Sequence, residues 1–251
     1  MPKNKKFLDS NMIKLIAIAA MTVDHIAWVV FPGYSREPVA IIMHIIGRLT
    51  CPIMCYCIAE GFRYTRNINK YTARMFIFAF ISHFAYMYLS GGYKDISVLI
   101  PFSSGSVFNQ TSVMWSLAWG LVMLRVACSE KIKSMIKKVI LIILICLISF
   151  PSDWSCIAAL FVLSFGTNRD NLKKQTIWLA IYAVMYSAVY ILFLDPVYGV
   201  LQMAVMLSIP VIACYNSQRG KNPAVNKFMK WFFYIYYPAH LVIIALFAKF
   251  G

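Results

Sequence analysis

The sequence predicts an all-helical, polytopic membrane protein: one integral-membrane domain over residues 1–251, about nine transmembrane helices and a cytoplasmic N-terminus. Three observations predict it. Hydrophobic residues make up 61% of the chain and charged ones 13%, more apolar surface than one water-soluble domain can hide. The apolar residues fall in nine runs separated by short basic or Pro/Gly/Asn-rich breaks, and in hydrocarbon only helices or closed barrels satisfy every backbone polar group. The Lys and Arg residues cluster in alternate breaks.

The first run, 12–31, opens behind Lys3, Lys5 and Lys6. It is longer than a signal peptide's apolar region and lacks a small-residue cleavage site, so it is expected to be retained as a helix. Run 39–60 contains Gly47-Arg48-Leu49-Thr50-Cys51-Pro52. Pro52 has no N–H to donate, which frees a carbonyl a turn earlier and predicts a kink near Arg48. Runs 71–89 and 108–128 flank a Gly/Ser-rich loop, 90–107, that suits an entry rim. Runs 139–150 and 154–165 fall short of the roughly 20 residues that cross a bilayer. They either pair as a hairpin about Pro151-Ser152-Asp153-Trp154 or re-enter the same face. Runs 175–194, 197–215 and 228–249 complete the set, the last with Pro238 two residues before His240.

The chain carries 24 Lys and Arg against 9 Asp and Glu, a formal charge of +15. With the N-terminus inside, 20 of the 24 basic residues fall in inner segments, leaving Arg36 and Lys94 outside, Lys249 at the far end and Arg48 within a helix. That asymmetry is the positive-inside signature of a multi-pass protein of a bacterial inner or plasma membrane. Nucleic acid is excluded as a partner, because the charge is spread over five loops and no face gathers it. The seven cysteines show no CxxC spacing and read as small apolar helix residues.

The polar residues left inside the runs carry the functional signal. All four histidines, His25, His44, His83 and His240, lie there with Asp24 and Arg48. Ionisable groups at such depth face a bundle interior or a wet cavity and mark function by default. At about 1.5 Å per residue, Arg48 and His240 lie near the midplane and the other three histidines in the outer half. His44 and Arg48 are four apart and share a face. A pocket opening outward is expected to gather all six groups, with Asn109, Gln110 and Asp153 at its rim. Arg48 is the natural counter-charge of Asp24, since an unpaired buried charge is costly. Two alternatives stay open: interhelical hydrogen-bonding residues without chemistry, and a metal site, disfavoured because no HxxxH or HExxH spacing puts two imidazoles on one helix face.

Five stretches resemble the TraX family, membrane proteins associated with acetylation of conjugative pilin at its N-terminus. They are MTVDHI at 21–26, IIGRLTCPIMCYCIAEGFRYTRN at 45–67, NQTSVMWSLAWGL at 109–121, SDWS at 152–155 and KWFFYIYYPAHL at 230–241. Thr50-Cys51 stands before Pro52 where the family pattern has a more apolar pair. Lys14 and His25, eleven residues apart, are similar to the Arg and His that open the wider superfamily of transmembrane acyltransferases. The resemblance implies acetyl-CoA as donor, an acceptor peptide or glycan bearing an amine or hydroxyl at the outer face, and acyl transfer across the bilayer.

On that reading His25 is the general base, Asp24 and Arg48 the charge pair that positions it, and His240 and His83 second candidates. Arg48, His44 or His240 would hold the oxyanion. Asn109, Asp153 and His44 would contact the acceptor, and Lys14, Arg63, Arg66, Lys70 and Arg74 would hold the donor's phosphates or serve only to set topology. The rival from another class is a proton-coupled transporter or flippase that uses Asp24, His25 and His240 as a relay.

Overall fold

Short polar side chains start the helices where the sequence places its breaks. Asp9 accepts from the backbone N–H groups of Asn11 and Met12 at 2.8 and 2.9 Å and caps α1, Ser10–Val30. Asn67 caps α4, Ile68–Met87, through the Lys70 N–H at 2.9 Å. Asn171 caps α8, Leu172–Phe193, through that of Lys174. Pro38 and Pro196 sit in the first turn of α2, Pro38–Gly47, and α9, Pro196–Leu201, where their missing N–H costs nothing. The remaining α-helices are α3, Thr50–Tyr64; α5, Val113–Ala127; α6, Met135–Ser149; α7, Ile157–Thr167; α10, Ser208–Ala213; and α11, Pro223–Phe250. The computed structural model describes residues 6–92, 94–103 and 105–250, and no strand forms among them.

Among the described residues, six helical stretches are long and apolar enough to cross a membrane: Ser10–Val30, Pro38–Tyr64, Ile68–Gly92, Leu172–Phe193, Pro196–Ala213 and Pro223–Phe250. The protein is a multi-pass membrane protein. The expected run 39–60 is interrupted after α2, with Arg48 as the C-cap and α3 restarting at Thr50. This is the break that Pro52 predicts, because the Arg48 carbonyl is the one a residue at that position would have bonded. Runs 139–150 and 154–165 appear as α6 and α7, of 15 and 11 residues, joined by a turn at 150–156. Both are short of a full crossing. α11 continues through Pro238.

The chain divides into two compact units, and the division falls inside α3 and α11. The first comprises Met1–Cys57 and Asp170–Tyr234; in it α1 packs on α2, and α8 on α9 and on the 3-10 helix Gln202–Leu207. The second comprises Ile58–Arg169 and Ile235–Gly251 and is built round α5, which packs against α4, α6 and α7. Gly120 brings α5 close to α7, because a Cβ there would meet the Ala159 backbone and the Val162 side chain. Close contact at small residues is how helices associate in lipid, where apolar burial alone gives no drive. Faces turned outward keep large hydrophobic residues: Ile136 and Leu147 on α6, Leu192 and Phe193 on α8.

Candidate functional site

α1 and α2 bring three ionisable side chains together in the first unit. Asp24 Oδ1 accepts from His44 Nδ1 at 2.9 Å and from Arg48 Nη2 at 3.1 Å, and the same Nη2 lies 3.3 Å from Oδ2. Arg48 Nη1 donates to Gln202 Oε1 at 3.0 Å. The His44 side chain is 0% exposed, Arg48 6% and Asp24 15%, so water screens these interactions little. Asp24 reaches both partners because residue 47 is glycine. Its carboxylate lies where a Cβ on Gly47 would be.

The arrangement fixes the tautomer of the imidazole. An ionised carboxylate only accepts, so Nδ1 of the neutral ring carries the proton and Nε2 presents its lone pair. That Nε2 is buried and has no hydrogen-bond partner. Around the ring stand Trp28, with its centroid 4.6 Å away, and Tyr198 at 5.2 Å. Trp28 and Tyr198 are 5.7 Å apart, and Tyr34 packs edge-on to Tyr198 at 4.9 Å. Trp28 lies one turn after Asp24 on α1, which places both on one face. A base oriented by a carboxylate and walled by aromatic rings is suited to taking a proton from a nucleophile in a low-dielectric site.

The connection between α1 and α2 is tied over this box. Tyr198 Oη donates to the Ser35 carbonyl at 3.0 Å, and Arg36 Nη2 pairs with Asp195 Oδ2 at 2.6 Å. Asp195 also caps α9 by accepting from the Tyr198 N–H at 2.9 Å. Burial, and after it the Asp195 carboxylate, push the Tyr34 phenol above its ordinary pKa, so it stays protonated at neutral pH. Arg36 is 57% exposed, and an exposed ion pair contributes little. Asp195→Ala is therefore expected to cost about 1–2 kcal/mol, through the lost cap, and Arg36→Ala at most about 0.5 kcal/mol. Thermal unfolding in detergent checks this; equal losses would contradict the dominance of the cap.

The other residues singled out from sequence have their own settings. His25, the next residue on α1, is half-buried and projects about 100° round the helix from Asp24. In the second unit, His83 has both ring nitrogens engaged, Nδ1 with Thr111 Oγ1 and Nε2 with the Leu99 carbonyl, each at 3.1 Å. It ties α4 to the 94–112 loop. His240 donates from Nδ1 to the Tyr236 carbonyl at 2.8 Å and stacks on the Tyr236 ring. Asn109 is exposed with φ of 55°, and the Asp153 N–H donates to the Thr111 carbonyl at 2.8 Å. Gln110 is buried, accepting from the Phe102 N–H.

Of the basic candidates, Lys14 lies over the Phe233 ring in the first unit. In the second, Arg63, Arg66 and Lys70 are exposed, and Arg74 lies over the Tyr71 ring with its Nε buried and unbonded. Glu60 pairs with Arg169 at 3.6 Å. Trp28, Tyr34, Tyr198 and Gln202 belong to the site and were not expected. Gln202 carried a usable signal as a lone amide within an apolar run; the aromatics carried none beyond their number.

Fold and site together define a class: a multi-pass helical membrane protein that holds a carboxylate, an imidazole and a guanidinium in mutual contact among its apolar helices. The chain belongs to the TraX protein family, whose model matches residues 9–248. It is similar to a probable fimbrial assembly protein, FimC of serogroup H1, from Dichelobacter nodosus, with 28% identity over 241 residues and 92% of each chain covered. No solved structure matches it significantly.

Proposed function

We propose that this protein is a membrane-embedded acyltransferase that serves pilin or fimbrial assembly. It moves an acetyl or other short acyl group from cytoplasmic acyl-CoA to an amine or hydroxyl presented at the outer side of the membrane. One observation carries this reading: the buried, unpartnered Nε2 of His44, whose ring is held by Asp24. We place His44 in the role that the sequence assigned to His25, because Asp24 holds the His44 ring in a fixed orientation. His25 becomes the second candidate.

In the reaction, His44 Nε2 takes the proton of the attacking amine or hydroxyl as its lone pair bonds to the thioester carbonyl carbon. The C–S bond then breaks, and the coenzyme A thiolate leaves with the proton from His44. While the tetrahedral intermediate lasts, the ring is an imidazolium beside Asp24. That positive charge lies beside the oxyanion and matches it. Arg48 holds the Asp24 carboxylate in place. The donor's phosphates call for cations, and in the first unit Lys14 offers one about 15 Å from Asp24 along α1.

Calorimetric titration of the purified protein with acetyl-CoA tests donor binding. Saturable heat is expected, with affinity at least about tenfold weaker in Lys14→Ala. No heat at millimolar acetyl-CoA would exclude the enzyme and favour a transporter.

A further inference from the structure

His83 on α4 and Thr111, two residues before α5, meet within the second unit. The Leu99 carbonyl only accepts, so the Nε2 that lies 3.1 Å from it carries the proton of the neutral ring. Nδ1 then takes a hydrogen bond from the Thr111 hydroxyl, also at 3.1 Å. Leu99 closes the 3-10 turn Ile96–Leu99, which Asp95 caps through the Ser97 N–H at 2.9 Å. A hydroxyl, a base within its reach and a third group that orients the base form the constellation that activates a nucleophile. Both side chains belong to half-buried residues, open to a small reagent. The start of α5 adds what a developing oxyanion needs. Ser112 is the N-cap but makes no side-chain capping bond, and its buried Oγ has no hydrogen-bond partner among the described residues. A buried polar atom in that setting calls for a ligand oxygen or water. The first-turn N–H groups of Val113 and Met114 point out of the same helix end, where the dipole favours negative charge.

We propose that Thr111 is a nucleophile activated by His83, a second site that accepts an acyl group from an ester or thioester. Thr111 Oγ1 bonds to the carbonyl carbon of the donor as its proton passes to His83 Nδ1. The imidazolium keeps its Nε2 bond to the Leu99 carbonyl, and the oxyanion lies against the N–H groups at the start of α5. The C–O or C–S bond then breaks, and the leaving alkoxide or thiolate takes the proton back from Nδ1. One acyl-threonine and one alcohol or thiol result, and the ring ends neutral as it began. The step needs neither His44 nor Asp24, which belong to the other unit.

The test treats the full chain in detergent with p-nitrophenyl acetate and maps acetylated hydroxyls by peptide mass spectrometry. Acetylation of Thr111 should be at least about 10²-fold faster than that of exposed Ser106 on the same loop, the lower end of what a positioned base contributes. Thr111→Ser should still be acetylated at that position, and His83→Gln should bring Thr111 down to the Ser106 rate while the protein unfolds at the wild-type temperature. Equal acetylation of Thr111 and Ser106 in the wild-type protein overturns the proposal. So does undiminished Thr111 acetylation in folded His83→Gln; if that variant does not fold, the wild-type ratio alone decides. Acetyl-CoA takes no part in the assay, so failure here leaves the role of His44 standing.

Discussion

His44→Ala should lower acyl transfer about 10³-fold, within the 10²–10⁴-fold that a positioned acid–base group contributes, while leaving the protein in the membrane and folded. The asymmetry follows from the cluster's charges. Removing the ring leaves Asp24 still paired with Arg48 and Arg48 still bonded to Gln202. The loss should fall on kcat with KM for acetyl-CoA nearly unchanged, because the ring acts on the acceptor's proton and not on the donor's phosphates. His25→Ala should fall far less. If the two variants exchange these phenotypes, the base is His25 and the dyad is structural.

Gly47→Ala is expected to damage both fold and activity although it adds one methyl group. That methyl would occupy the space of the Asp24 carboxylate, which must swing away and release His44 and Arg48 together. Breaking a buried ion pair costs about 3–5 kcal/mol, since the partner is left buried and uncompensated. Thermal unfolding in detergent should therefore show a clear drop. Activity should be lost even at temperatures where the variant is folded, because His44 no longer has an orienting acceptor. Wild-type stability and turnover in Gly47→Ala would show that Asp24 is not held against α2.

Much of this architecture was legible in the chain. The basic and Pro/Gly/Asn-rich breaks placed the helix starts, which Asp9, Asn67, Asn171 and Asp195 cap in the structure, and Pro52 placed the interruption near Arg48, because proline chemistry acts over one turn. The Asp24–Arg48 pairing also followed, since two opposite charges in hydrocarbon have few other solutions. The partner of His44 did not. An interval of twenty residues between Asp24 and His44 says nothing of which faces of α1 and α2 meet, and that meeting depends on Gly47 letting a carboxylate approach the backbone. Nor do the partners of His83 show in the sequence: a histidine whose two nitrogens bind Thr111 and the Leu99 carbonyl looks there like any other intramembrane imidazole. The aromatic box was hidden by composition. Among 39 aromatic residues, nothing but contact singles out Trp28, Tyr34 and Tyr198.

The central claim is tested most directly by following one acyl group. Wild-type protein in proteoliposomes is given radiolabelled acetyl-CoA on the face bearing the basic loops and a peptide with a free N-terminal amine on the other. The account predicts labelled peptide accumulating with one coenzyme A thiol released per acetyl transferred, both signals falling together in His44→Ala. Peptide or protons crossing the bilayer with the thioester intact would contradict it.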